Sequence, residues 1–389
     1  MTLTATKFLP FHRALIEEEE IQAVVEVLRG GWLTKGPLVH EFEKSFANYV
    51  GASHALAVNS CTAALHLALA AIGLREGDEV IVPTLTFAAS GEVVLYFKAR
   101  PVLVDCIGST GQLDLDQVER AISPRTRAIL PVHYAGYPCD MDRVLDLAKR
   151  RNLRVIEDAA HALPTRYKGK MIGTLGDITC FSFYATKTLT TGEGGLATTE
   201  NKEFAERMRL FSLHGISKDA WKRYSAEGSW RYDILEAGYK YNFTDIQAAL
   251  GLAQLAKCDA MRARRAALAE RYTMELTSLD AFETPPTPLD GQHAWHLYAL
   301  QLNSSALRIS RDQVIEELKQ RGVGTSVHFI PLHLHTLYQK HLGYRTGQFP
   351  IAERFFEREI SLPIYPSMTD EECHCVIEGL QDVARQFRR

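Results

Sequence analysis

Cys180-Phe181-Ser182-Phe183-Tyr184-Ala185-Thr186-Lys187-Thr188-Leu189-Thr190-Thr191-Gly192-Glu193-Gly194-Gly195 is an apolar, aromatic-rich run of strand type that ends in one lysine and passes into a glycine-rich turn. The neighbours of Lys187 are hydrophobic or hydroxylic, so if buried it has no acidic partner close in sequence. Desolvation would then lower its pKa and leave a nucleophilic amine. On an exposed loop it would be an ordinary solvated cation.

A second run, Leu153-Arg154-Val155-Ile156-Glu157-Asp158-Ala159-Ala160-His161, reads as a short buried strand with two acids and a histidine at its carboxyl end. In open α/β sheets, ligands bind beyond the carboxyl ends of the strands. A nucleophilic lysine forms Schiff bases with carbonyl compounds, pyridoxal phosphate among them, and that cofactor needs a carboxylate against its pyridine nitrogen. Lys187 and Asp158 are the candidates for these two roles. A strand-end aspartate also serves as a helix cap, and so does a histidine just past a strand.

The order and spacing of Glu157-Asp158-Ala159-Ala160-His161, of Phe181-Ser182-Phe183 with Lys187 four positions on, and of Thr191-Gly192-Glu193-Gly194-Gly195 carry a resemblance. The chain resembles the sugar-nucleotide aminotransferases of the DegT/StrS group, among the aspartate aminotransferase-like pyridoxal enzymes of fold type I. Further matches run from about Pro10 to about Met368. The resemblance implies an α/β fold, with a mainly parallel central sheet flanked by helices and a smaller α+β C-terminal domain. The expected division is residues 1–255 as the large cofactor domain, residues 1–30 packing on the small one, and residues 256–389 as the small domain.

The same resemblance implies site roles. Lys187 would hold pyridoxal 5′-phosphate, with pyridoxamine 5′-phosphate as the alternate form, and Asp158 would face the ring nitrogen. Phe87 would stack on the ring, and His161 would contact the ring or its 3-oxygen. The phosphate would sit against Thr62, Ala63 and Ser182. Asn242 would reach the phosphate of the other subunit in a homodimer; many relatives carry Asn-Tyr-Arg where this chain has Lys240-Tyr241-Asn242, so Lys240 is the alternative for that contact. His328 and Trp32 would lie on the substrate side. Taken alone, Ser60-Cys61-Thr62 is equally a helix N-cap, and Phe87 equally a core aromatic.

The implied reaction moves an amino group from L-glutamate to a nucleotide-linked keto sugar, with freed Lys187 shifting the proton between donor α-carbon and cofactor. Relatives acting at C4 more often carry Thr-Thr-Gly-Glu-Gly-Gly, as at 190–195 here, so the expected product is a 4-amino-4,6-dideoxy sugar nucleotide. Amination at C3 and a cofactor-binding regulatory role without turnover are the alternatives. A small amino-acid transaminase would need a carboxylate-binding arginine, for which Arg308, Arg311 and Arg321 are available.

Composition agrees with this class. With 389 residues, 46% hydrophobic and 23% charged, the chain exceeds one ordinary core, and two domains are expected. A net charge of −3 gives no reason to expect nucleic acid or an anionic membrane as partner. Seven scattered cysteines fit reduced thiols in a cytoplasm better than a disulfide framework. Cys373-His374-Cys375 is too tight to clamp zinc, so no metal site is expected. No leader or membrane-spanning run is visible.

Apolar periodicity predicts helices over 15–28, 39–49, 115–122, 141–150 and 252–276, and strands over 55–58, 79–83, 99–105, 128–133, 153–158 and 295–302. The acids Glu17 to Glu20 read as a solvated helix start. The irregular stretch 216–236, with Lys222, Arg223, Trp230 and Arg231, reads as a binding loop.

Overall fold

Val80-Ile81-Val82 and Val155-Ile156 show no polar alternation, the pattern of strands covered on both faces, and all five residues are buried. The computed structural model describes residues 8–217 and 231–389. Its strands in chain order are β1 (His54–Val58), β2 (Glu79–Pro83), β3 (Arg100–Val104), β4 (Thr126–Ile129), β5 (Arg154–Asp158), β6 (Arg166–Tyr167) and β7 (Lys170–Met171). They continue as β8 (Ile178–Ser182), β9 (Gly195–Thr199), β10 (Phe282–Glu283), β11 (Gly291–Gln292), β12 (Tyr298–Leu302) and β13 (Glu359–Leu362).

Seven of these form one sheet in the order β1-β9-β8-β5-β4-β2-β3. Neighbours from β8 to β3 are parallel, whereas β9 runs against both β8 and β1. Alternate residues of one strand feed opposite cores. Val80 and Val82 belong to the core that also holds Leu65 and Leu69 of the helix Cys61–Ala71. Ile81, between them, belongs to the core on the other face, which also holds Phe42 and Phe46 of the helix Pro37–Val50.

A third core is built on the small sheet β10-β12-β13. Leu268, Tyr272 and Leu276 of the helix Cys258–Leu276 and Val376 and Leu380 of the helix Asp370–Gln386 cover it. Leu9 joins this core and bridges to Val323.

Several boundaries differ from the sequence pattern. The single helix expected over 252–276 is two helices, Asp245–Ala256 and Cys258–Leu276, broken at Lys257. There the Lys257 ammonium turns back to Glu20 at 2.6 Å and Glu17 at 2.7 Å. Glu20 is therefore buried, 0% exposed, rather than part of a solvated helix start, and it also accepts from Gln254 Nε2 at 2.9 Å. The strand expected from Trp295 begins at Tyr298, because Trp295 sits at φ 53 just before a bend at His296. Of the stretch 216–236, Lys222, Arg223 and Trp230 lie outside the described residues, and Ile216 bridges Ile234. Among the described residues no helix is long and apolar enough to cross a membrane. All seven cysteines are free, and Cys373, His374 and Cys375 lie on the last helix.

Candidate active site

The carboxyl ends of β1, β2, β5 and β8 lie on one edge of the sheet, and each delivers residues to a cavity of about 370 Å³. Ser60, Cys61 and Thr62 follow β1, Phe87 follows β2, Asp158 ends β5 and Ser182 ends β8. β9 runs the other way, so its leading residues Glu193 and Gly194 reach the same edge. Lys187, His161, His296, His328 and Phe329 complete most of the wall.

Lys187 does not end the strand. It lies on the turn after β8, where its N–H donates to Tyr184 O at 2.9 Å. Burial pushes its ammonium down to about 8; the nearby Cys61 thiol and Asp158 carboxyl oppose this, and the Arg265 cation adds to it. Its Nζ is 3.5 Å from Nε2 of His296.

Glu157 and Asp158 are consecutive in a strand and so face opposite ways. Glu157 turns into the sheet, where Oε2 meets His133 Nε2 at 2.9 Å and Oε1 accepts from Thr179 Oγ1 at 2.6 Å. Asp158 faces the cavity, accepting from Ser90 Oγ at 2.7 Å and from the Ala160 N–H at 3.1 Å. Its partners are thus a hydroxyl from the helix Ala88–Leu95 and the peptide two residues on, and it caps no helix. Burial raises its pKa, against the pull of Ser90, Ala160 and Lys187.

His161 is buried, and its Nδ1 accepts the Ala135 N–H at 3.2 Å, which assigns the ring proton to Nε2. Its ring stacks near Phe329 at 5.8 Å and lies 4.3 Å from His296. Phe87 is 61% exposed, as a cavity wall is and a core aromatic is not, with its ring 5.9 Å from Phe329.

Thr62 lines the cavity in the first turn of the helix Cys61–Ala71. Ser60 is the N-cap, its Oγ accepting the Ala63 N–H at 3.1 Å, so Ala63 is buried behind the wall. Gly195 packs on this turn so closely that a Cβ there would overlap the Ser60–Cys61 peptide. Asn242 and Trp32 do not line the cavity of their own chain. Asn242 bridges Val58 at the end of β1 and accepts from Lys240 Nζ, while Trp32 Nε1 donates to Lys35 O at 3.2 Å.

Sequence reasoning passed over His296 and Ser90. His296 precedes β12 in His293-Ala294-Trp295-His296-Leu297-Tyr298, a run with the look of core, and only the tertiary fold brings it to Lys187. Ser90 sits in the first turn of the helix Ala88–Leu95, where a short polar residue suggests capping. Behind this wall Arg265 is wholly buried and donates to the carbonyls of Trp295, His296 and Ile364. Burial pushes it down to about 9.

These donors fit pyridoxal 5′-phosphate: a partly neutral amine for its aldehyde, a carboxylate for its ring nitrogen, an aromatic wall, and a helix start with hydroxyls for its phosphate.

Comparisons with known proteins agree. Residues 14–381 match the DegT/DnrJ/EryC1/StrS aminotransferase family. The chain is 50% identical to the spore coat polysaccharide biosynthesis protein SpsC of Bacillus subtilis, over 97% of each chain. Spr1654 of Streptococcus pneumoniae, solved in PMP and PLP forms, superposes with a TM-score of 0.91 at 36% identity, over 97% of this chain and 99% of that one. PseC of Helicobacter pylori, an aminotransferase involved in pseudoaminic acid biosynthesis, also gives 0.91, at 29% identity over 98% and 100%. The chain belongs to the DegT/DnrJ/EryC1/StrS aminotransferase family and is a pyridoxal-phosphate-dependent aminotransferase.

Proposed function

We propose that the protein transfers the amino group of L-glutamate to C4 of a nucleotide-linked 4-keto-6-deoxy sugar, as a homodimer whose sites are completed across the interface. The spore coat polysaccharide role of the Bacillus relative favours a sugar acceptor. The observation that carries the choice of C4 is the turn Thr190-Thr191-Gly192-Glu193-Gly194-Gly195, the sequence more often found in relatives that act there, of which Glu193 and Gly194 line the cavity. Its shape is held by Thr190 Oγ1 donating to Phe183 O at 3.1 Å and Thr191 Oγ1 to Glu193 O at 2.7 Å.

The bound cofactor supplies an electron sink and carries the amino group between donor and acceptor. In this reading Lys187 would anchor it until the amino donor takes its place, and the freed amine would then take the proton from the donor's α-carbon. A pKa of about 8 leaves a usable neutral fraction near pH 7. Asp158 binds and orients the ring through its nitrogen, with Ser90 and Ala160 fixing the carboxylate. Arg308, Arg311 and Arg321 do not line the cavity, which supports a sugar acceptor over a second amino acid. They bind Gln386 O, the carbonyls of Phe356 and Glu359, and Glu317 respectively.

The test is to incubate the enzyme with glutamate and a 4-keto-6-deoxy sugar nucleotide and locate the new C–N bond by NMR. The expected product carries the amine at C4. An amine at C3, or no product from any keto sugar, overturns the proposal.

A further inference from the structure

His328 lines the cavity, and its Nδ1 edge meets Ser361, which with Glu359 lies outside that lining. Its Nδ1 is 2.8 Å from Ser361 Oγ, and Ser361 Oγ is 2.5 Å from Glu359 Oε1. The second carboxyl oxygen, Oε2, accepts the His328 backbone N–H at 2.8 Å. Glu359 and Ser361 are both 0% exposed and stand two apart on β13, hence on one face. The segment carrying His328 is strapped to them by paired backbone hydrogen bonds between Ser326 and Ser361.

Arg311 reaches Glu359 only through the backbone, donating to Glu359 O at 2.9 Å, while its Nε goes to Asp312 at 2.6 Å. Tyr134 gives its hydroxyl to His328 O at 2.5 Å, and Gln301 is the cross-strand partner of Glu359 on β12. Among the described residues, therefore, no cationic side chain bonds the Glu359 carboxyl. Burial pushes it up to about 8, against Ser361, the His328 N–H and Arg311. On the cavity side His328 faces Lys187, His161 and His296. Burial first, and then Lys187, hold its imidazole down at about 4.

We propose that Glu359, Ser361 and His328 form a proton relay that joins a buried carboxyl to the cavity through Nε2 of His328. In the loaded state the Glu359 carboxyl donates to Ser361 Oγ, the Ser361 hydroxyl donates to Nδ1, and Nε2 carries the hydrogen. When Nε2–H passes its proton to an oxygen in the cavity, Nδ1 takes the serine proton and the serine takes that of Glu359. The products are one protonated acceptor, a Glu359 carboxylate and a neutral His328 in the Nδ1–H form. One proton has crossed, no electrons are exchanged, and solvent reloads the chain. The chemical use rests on the amino-transfer reading, in which the keto oxygen of the acceptor must leave as water and needs protons to do so.

The relay changes the tautomer of His328 without charging it, and the two tautomers are distinguishable by imidazole ¹⁵N shifts. Full-length protein labelled with ¹⁵N-histidine, with the signal assigned through His328→Gln, is titrated from about pH 6 to about pH 10 without substrate. The expected result is Nε2–H below about 8 and Nδ1–H above it, with both Glu359→Gln and Ser361→Ala abolishing the switch. In turnover, Glu359→Gln lowers kcat about 100-fold and removes the alkaline limb that tracks the switch. One tautomer throughout in the wild type, or a switch that survives Glu359→Gln, overturns the relay. The wild-type titration decides the matter even if a variant fails to fold. Because it needs no substrate, failure of the amino-transfer reading would leave its outcome unchanged.

Discussion

An amine that must form a covalent bond near pH 7 has to be held away from water, and Lys187 carries that cost in its own pKa. Its folded value of about 8 lies below the value of about 10.4 expected in the unfolded chain. Between these two, the unfolded chain holds more protons, so stability attributable to this group rises with pH across that window. In cofactor-free protein, Lys187→Met should therefore stabilise by about 3 kcal/mol at pH 7, since each tenfold loss of proton affinity on folding costs about 1.4 kcal/mol. The gain should shrink as the pH climbs from about 8 to about 10. Urea melts of both proteins across that range are the measurement, and a gain that does not vary with pH would mean that the amine is hydrated. The same variant loses turnover by at least about 100-fold and loses the visible absorbance of bound cofactor. Lys187 and Asp158 could be named as candidates from local patterns, a lone cation in an apolar run and an acid at a strand end, but a solvated lysine and a helix cap fit the same patterns, and the family resemblance made the choice. The relay of Glu359 and Ser361 was not legible, since a Glu-Ile-Ser-Leu strand reads as half exposed until the segment carrying His328 is laid across it.

At the scale of elements, the site depends on one antiparallel strand entering an otherwise parallel sheet. β9 brings Gly195 against the Ser60–Cys61 peptide, the start of the helix that carries Thr62. Gly195→Ala should push that helix start out of place. The cost should be about 1–3 kcal/mol by overpacking, with at least a tenfold loss in cofactor affinity read from absorbance titration. An unchanged affinity would separate the helix start from cofactor binding. The glycine-rich turn could be read from sequence, but its reason could not, because the colliding peptide lies far away along the chain. The same limit explains the helix boundaries. Periodicity carries through Lys257 without a mark, and the break depends on the two glutamates to which its ammonium returns. Conversely, β2 and β5 were legible nearly to the residue, since apolar runs bounded by turn residues leave one solution.

At the scale of the molecule, Asn242 is the residue whose role the single chain leaves open, for it stands beside β1 and outside its own cavity. If two chains complete each other's sites, Asn242 serves the neighbour, and this has a consequence that a role within one chain cannot imitate. Lys187→Ala and Asn242→Ala are each made as pure protein, both with low activity, then mixed under conditions that exchange subunits. A hybrid dimer with Asn242 acting across the interface has one site with both defects and one with neither. At random exchange about half of the dimers are hybrids, so about a quarter of all sites regain both residues. Activity should then rise towards about a quarter of the wild-type value, well above the mean of the two parents. If Asn242 acts within its own chain, every hybrid site keeps one defect and mixing restores nothing. A cofactor titration of the mixture gives the same division by binding alone, because Asn242→Ala should weaken phosphate retention without touching the amine of Lys187. Recovery in both readouts would establish that the functional unit is the pair, and that the cavity of one chain is an incomplete site.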